Sequence, residues 1–174
     1  MIQNQEQLLP TAFARASNIA TIAYMGSLMT FLAKGSKRSG CFALMVYHTK
    51  PRNEPPPHDH EREHELYFVL ERAMHFYCED KTLDIGAGDV VFLPQSKAMH
   101  SPAVLTRWHP DLCTGHWQGC CRHFVAMGEP AGSMTLPGSA GTYAIDGSEH
   151  AIRVGASSGI RILSLSETQR ELPQ

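Results

Sequence analysis

The chain has 174 residues, of which 43% are hydrophobic and only 18% are charged, and its formal net charge is −2. This length predicts one domain with a sizeable core, and the composition excludes a disordered or strongly charged chain. Nucleic-acid binding is not expected, because there is no basic excess to contact phosphates. The unusual feature is the number of histidines, which is ten.

The N-terminal residues predict an extension rather than a targeting or membrane segment. The run MIQNQEQLLP lacks the basic and apolar regions of a secretory signal, and residues 1–18 are predicted to hold a short helix. Residues 19–33 are apolar but too short and too interrupted to cross a bilayer. Five cysteines without a secretory signal indicate reduced thiols, so we expect a cytoplasmic protein that does not contact membranes.

Short apolar runs bounded by glycine and proline follow one another along the chain and predict a mostly β protein. No stretch shows a sustained helical period with caps. Sequential short strands of this kind indicate a sandwich or a barrel. The runs most typical of strands are 22–33, 41–48, 65–70, 74–78, 90–93, 122–127 and 160–165.

A cluster of metal-binding residue types follows the proline-rich segment 51–57. In a strand, His58 and His60 share a face, because side chains alternate with a period of two. A short turn at 61–64 brings Glu65, at the start of the next strand, beside them. Two imidazoles and one carboxylate suit a divalent transition metal with open positions, so these three residues are predicted metal ligands.

A second segment contains a glycine turn that includes Gly88, a buried strand that ends at Pro94, and then His100. Together the two segments resemble the two motifs of the cupin superfamily. The first motif is matched by the three predicted ligands, and the second by Gly88 and Pro94. The surrounding run is similar to the quercetin 2,3-dioxygenase-like branch of single-domain cupins. The resemblance implies an all-β fold, the double-stranded β-helix or jelly-roll barrel, and it implies His100 as a fourth metal ligand.

The resemblance also suggests how the chain is organised. Residues 1–18 form the N-terminal extension, and residues 19–128 form the cupin barrel. A loop insertion is expected at about 103–121, and residues 129–174 form a C-terminal extension that packs on the barrel. The insertion predicts a lid, since long loops without clear structure are usually functional.

The sequence departs from the cupin motifs at several positions. Arg72 replaces a glycine of the first motif, and because an arginine with positive φ would be strained, we expect this turn to be rebuilt. Ser96 replaces a glycine of the second motif, and one extra residue separates Pro94 from His100. His100 can reach the metal only if the loop 95–99 or a bulge absorbs that residue.

The other histidines are assigned weaker roles. His64 is predicted to be a solvated turn residue, and His48 and His75 to be hydrogen-bonded residues of strand walls. A zinc site among the cysteines and histidines of residues 109–123 is not expected, since no pair has the spacing of a zinc motif.

The residue pattern of the strands next to the predicted metal ligands indicates an apolar pocket. Alternation places Tyr67 and Val69 on the face of Glu65, and it places Val90 and Phe92 on one face of their own strand. If these faces point inward, the pocket suits a small aromatic or enolic substrate. The predicted substrate-pocket residues are Tyr67, Val69, Phe92 and His75.

The resemblance implies an oxidoreductase, a dioxygenase that uses O2, with Glu65 as the catalytic base that accepts the substrate's proton. We expect one divalent transition metal, iron first, with Mn, Ni, Co, Cu or Zn as alternatives. A lyase, isomerase or cyclase would use the same ligands without O2, and a cupin that only binds a ligand is a third alternative. A homodimer is expected as well, because cupins commonly pair.

Overall fold

The computed structural model describes residues 20–33, 43–50, 55–78, 81–97, 99–104, 111–116, 120–137 and 148–171. The strands are β1 (Thr21–Tyr24), β2 (Ser27–Ala33), β3 (Ala43–His48), β4 (His58–His60), β5 (Glu65–Val69), β6 (Ala73–Cys78), β7 (Lys81–Gly86), β8 (Val90–Leu93), β9 (Met99–Val104), β10 (Asp111–His116), β11 (Glu129–Pro130) and β12 (Ile160–Ile162). The helices are α1 (Cys120–Met127), α2 (Ser148–Ser158) and α3 (Leu165–Glu171).

The strands form two antiparallel sheets. One has the order β11-β1-β2-β3-β10-β5-β8 and the other has the order β12-β4-β9-β6-β7. Strands distant in sequence are neighbours, such as β10 between β3 and β5, and β9 between β4 and β6. This crossing between two sheets is the jelly-roll arrangement, and it brings β4 and β5 to the same region although they lie in different sheets.

The hydrophobic core lies between the sheets. Val69 and Leu93 come from the first sheet, and Phe76 and Ile85 come from the second. All four are buried, with at most 8% of the side chain exposed. A second cluster around Met29 and the neighbouring strands packs against α1. The protein therefore has one apolar cluster between the two sheets and another against α1.

The predicted run 22–33 folds as a hairpin. Met25 and Gly26 have φ values of 51° and 73° and separate β1 from β2. Two consecutive positive φ values are typical of the type I′ turn, whose twist matches that of the flanking strands.

The turn at Arg72 corrects a prediction. Arg72 adopts a φ of 74°, so the left-handed conformation that glycine supplies in the motif is kept and the turn is not rebuilt. Ser96, at the position of the second replaced glycine, also has a positive φ of 59°. The fold keeps both turns despite a steric cost of about 1–2 kcal/mol per residue.

Two other segments differ from the predictions. Residues 122–127 lie within helix α1 rather than in a strand. Residues 111–116, placed in the predicted insertion 103–121, form β10 in the middle of a sheet, so this part is not a lid. The predicted helix in residues 1–18 lies outside the described residues, and the domain boundaries stay predictions. The helices within the described ranges are all too short to span a bilayer.

Candidate metal centre

Strand β4 and the start of β5 bring the three predicted ligands together. His58, His60 and Glu65 each place one ligand atom within 4.8 Å of those of the other two. Alternation along β4 directs both histidines to the interior, and all three side chains are at most 9% exposed. The site is thus assembled by a three-residue strand and the turn that follows it.

The turn at residues 61–64 is held by backbone hydrogen bonds on both sides. The Glu61 N–H donates to the Gly159 carbonyl at 2.8 Å, and the Ser96 N–H donates to the His60 carbonyl at 2.7 Å. These bonds fix the chain direction as it leaves β4, so Glu65 enters β5 at a defined distance from His60.

Both imidazole rings have their Nδ1 atoms engaged. His58 Nδ1 lies 2.8 Å from the Pro56 carbonyl oxygen, which can only accept a hydrogen bond. His60 Nδ1 lies 2.9 Å from Oε1 of Glu63. With the proton on Nδ1, each ring presents the lone pair of Nε2 as a metal ligand atom.

The spacing of the remaining ligand atoms fits a metal ion. Oε2 of Glu65 lies 3.6 Å from Nε2 of His60, which is too long for a hydrogen bond. A cation bonded to both atoms at about 2.1 Å fits between them. Two imidazoles and a carboxylate are also the donor chemistry that divalent transition metals prefer. The residues present therefore fit such an ion.

Burial and neighbouring charges shift the pKa values of this cluster. Burial raises the pKa of Glu65, an effect opposed by His60 and by a hydrogen bond from the Tyr67 hydroxyl. Burial opposes protonation of His60, but the Glu65 and Glu63 carboxylates outweigh it and raise the His60 pKa. Without a metal, Glu65 is thus a weaker acid and His60 a stronger base than the same groups are in water.

The cluster forms one wall of a cavity of about 700 Å³, a volume that includes its open mouth. The remaining wall is mostly apolar and aromatic. The residues that line the cavity are Tyr24, Met25, Met29, Tyr47, Pro55, Pro56, His58, His60, Glu65, Tyr67, His123, Phe124, Ala151, Ile160 and Ile162.

A second polar group lines this cavity. Nε2 of His123 lies 2.9 Å from the Tyr24 hydroxyl, and both residues are at most 6% exposed. Nδ1 of His123 has no hydrogen-bond partner among the described residues. Burial, together with the charge of His60, lowers the pKa of His123 to about 4. His123 is therefore a neutral imidazole near pH 7, in the same cavity as the metal-binding residues.

The C-terminal strand completes the cavity next to the ligands. In the pairing of β12 with β4, Ile160 lies opposite His60 and Ile162 lies opposite His58. Between them, Arg161 lies opposite Asp59, with its Nε atom 2.8 Å and its Nη2 atom 2.5 Å from Oδ2 of the carboxylate. The ion pair between Arg161 and Asp59 holds β12 against β4, and the two isoleucines form an apolar part of the cavity wall.

The predicted pocket residues are placed differently from one another. Tyr67 lines the cavity, whereas Val69 is fully buried in the core between the sheets. Phe92 shares a face with Val90 as expected, but this face points outward and Phe92 is 55% exposed. His75 is paired with Asp84 on the outer side of β6 and is not among the lining residues. The prediction is therefore wrong for Val69, Phe92 and His75, none of which is among the lining residues. For Phe92 the reason is that strand parity gives only a shared face, whereas packing sets the direction of that face.

The backbone at His100 is described, but its side chain is not. In β9, Met99 pairs with His58 and His100 pairs with Tyr77. The ladder between β6 and β9 shifts register between His75 and Tyr77, opposite the residues of β9 that follow His100. This irregularity therefore does not absorb the extra residue between Pro94 and His100. The fourth ligand stays a prediction.

Sequence analysis missed His123, since residues 122–127 were interpreted as a strand. A signal was present: Cys120, His123, Phe124 and Met127 follow the i, i+3, i+4, i+7 spacing of one helix face. In the structure Phe124 and Met127 pack on the core cluster around Tyr24. His64, predicted to be solvated, is half-buried and accepts a hydrogen bond from the Gln95 N–H at 3.0 Å.

Comparison with known proteins supports the fold. Residues 45–105 match the family model described as the cupin domain. No curated protein matches the chain. With the jelly-roll topology, the family match confirms that this is a mostly β protein with the cupin fold.

Several solved structures are similar to this one. KdgF from Halomonas sp. aligns with a TM-score of 0.54 and 14% identity over 63% of this chain and 94% of that chain. Hydroxypropylphosphonic acid epoxidase from S. wedmorenis aligns with a TM-score of 0.53 and 16% identity over 62% of this chain and 59% of that chain. Streptomyces Pac13, a nucleoside dehydratase, aligns with a TM-score of 0.50 and 11% identity over 63% of this chain and 83% of that chain. At these identities the similarity shows the fold alone.

Proposed function

We propose that this cupin-domain protein is a metal-dependent dioxygenase of the quercetinase-like type that acts on a small phenolic or enolic substrate. The observation that supports it most directly is the position of His58, His60 and Glu65 on one wall of a largely apolar cavity. A substrate in this cavity has its oxygen next to the ligand atoms and its carbon skeleton against apolar and aromatic side chains.

An iron(II) ion held by these residues would supply Lewis acidity toward the substrate oxygen and a route for electrons to O2. Glu65 is the proposed base. When it is released from the metal, this buried carboxylate can accept a hydroxyl proton from the substrate. The Tyr67 hydroxyl bonds to this carboxylate and keeps it oriented. In dioxygenation the substrate supplies the electrons and receives both oxygen atoms, so no further reductant is needed.

The other walls of the cavity define the substrate class. Met25, Phe124, Ile160 and Ile162 exclude water and favour a flat apolar molecule. The described lining contains no lysine or arginine, which disfavours phosphorylated substrates. The proposed partners are therefore such a substrate and O2. A homodimer and a cytoplasmic location are proposed from sequence alone.

A second candidate is a non-redox lyase, isomerase or cyclase at the same site. The observation that favours it is the neutral imidazole of His123, which shares the cavity with Glu65. A carboxylate and a neutral histidine can exchange protons with two positions of one substrate, which is what elimination and isomerisation require. In this case the metal would act only as a Lewis acid. A protein that binds a ligand without turning it over is the third alternative.

The test is O2 consumption by the iron(II)-loaded protein with a panel of flavonols and other phenols or enols. We expect the parent protein to consume O2. His58→Ala and His60→Ala should lose both this activity and the bound iron, whereas the matched variant His64→Gln should keep both. Turnover that persists without O2 would support the second candidate and exclude dioxygenation. Full metal retention in both alanine variants would exclude the proposed centre. Metal content of His100→Ala tests the fourth ligand separately.

A further inference from the structure

Glu63 is a buried carboxylate to which the proposed function assigns no role. It lies in the turn between β4 and β5, and only 2% of it is exposed. An ionised carboxylate is costly to bury unless its charge and its hydrogen-bonding capacity are both compensated. Its position two residues before Glu65 places it beside the candidate metal centre, where its carboxylate contacts His60.

The ring of His60 lies between two carboxylates. Its Nδ1 atom is 2.9 Å from Oε1 of Glu63, and its Nε2 atom is 3.6 Å from Oε2 of Glu65. Since an ionised carboxylate can only accept a hydrogen bond, the first contact assigns the Nδ1 proton. Nε2 of His60 then carries a lone pair directed toward Glu65, which is the orientation that a metal ligand needs.

The neighbouring histidine provides an internal comparison. His58 donates from Nδ1 to the backbone carbonyl of Pro56 at 2.8 Å, so a neutral acceptor is sufficient to fix its ring. At His60 the acceptor carries a charge. A carboxylate behind a ligating imidazole both orients the ring and increases the basicity of the nitrogen that binds the metal.

We propose that Glu63 is a positioning residue that acts through His60 on a divalent cation at the centre. This inference rests on the proposed metal site. With neutral imidazoles, the charges of Glu63 and Glu65 sum to −2 and balance the ion in an almost fully buried site. The adjacent Asp59 pairs with Arg161 rather than with a candidate ligand. Glu63 therefore sets metal affinity without contacting the metal.

The experiment is a titration of the full-length protein with Co²⁺ alone, followed by the ligand-field absorption of the bound ion. Glu63→Gln keeps an acceptor for the His60 N–H and removes only the charge, whereas Glu63→Leu removes both. Loss of such a partner weakens metal binding by about 10–100-fold, and we expect Glu63→Leu in this range. We expect Glu63→Gln to show a smaller loss of affinity and a shifted absorption band. The matched control is Glu61→Gln, an exposed residue of the same turn, which should bind Co²⁺ as the parent protein does.

Parental affinity and absorption bands in Glu63→Gln would overturn the proposal. Because glutamine is nearly isosteric, this variant decides the matter even if Glu63→Leu does not fold. His60→Ala distinguishes failure of the proposed metal site from failure of the proposed role of Glu63. If His60→Ala binds Co²⁺ as tightly as the parent, the metal site itself is wrong. If it loses Co²⁺ while Glu63→Gln does not, only the role of Glu63 is refuted.

Discussion

The buried histidine His123 should limit the stability of the protein in acid. Its pKa is lowered to about 4 in the folded protein, compared with 6.5 for an ordinary histidine. Between these values the unfolded chain binds a proton that the folded protein excludes, so stability falls as pH decreases from 6.5 toward 4. A difference of about 2.5 pKa units corresponds to a loss of about 3 kcal/mol. Above pH 6.5 this group has no effect on the pH dependence.

The substitution His123→Gln removes the titration and places an amide near Nε2, where it can still bond to the Tyr24 hydroxyl. We expect the free energy of unfolding of the parent to fall by about 3 kcal/mol relative to this variant between pH 7.5 and pH 4. The assay is urea unfolding at several pH values, with the two proteins compared at each pH. Tyr24→Phe is the control, because it loses the hydrogen bond but keeps the histidine. Equal pH dependence in the parent and in His123→Gln would refute the reasoning.

Three other substitutions test the packing, the ion pair and the strained turn. Phe76→Ala should lower the free energy of unfolding by about 3–5 kcal/mol, because this ring is fully buried between the sheets; a loss below 1 kcal/mol in urea unfolding would contradict that packing. Arg161→Leu should cost about 3 kcal/mol in the same assay, since it leaves the Asp59 carboxylate buried without its cation, and an unchanged midpoint would be inconsistent with the pairing. Ser96→Gly should raise stability by about 0.5–1 kcal/mol by relieving the positive φ, and a lower melting temperature would argue against strain there.

The proximity of the three candidate metal ligands could be predicted because their geometry depends on local rules. A period of two puts His58 and His60 on one face, and a four-residue turn brings Glu65 beside them. The same rule grouped Val90 with Phe92, but it cannot say which side of the sheet is interior. That direction follows from the packing of Val91 and Leu93 against residues of the other sheet.

The wrong predictions concern segments whose structure depends on contacts with distant parts of the chain. Residues 122–127 are a short apolar run, and such a run is compatible with a strand or a buried helix until its neighbours are known. Strand β10 was missed because its sequence, DLCTGH, contains weak strand formers, and its formation depends on pairing with β3 and β5. At Arg72 the intrinsic cost of a positive φ was identified correctly, but tertiary contacts around the turn outweigh it.

About half of the residues that line the cavity lie outside the cupin-domain match. The family match covers residues 45–105 and includes the ligands, whereas Tyr24, His123 and Ile160 come from elements before or after it. Since β12 pairs with the ligand strand, its side chains limit how a substrate approaches the metal. The ligand set can therefore be shared among proteins that differ in substrate, and reaction type should be decided by these flanking walls. This is why motif matching identifies a candidate metal site here, whereas the substrate class has to be inferred from the side chains of β1, α1 and β12.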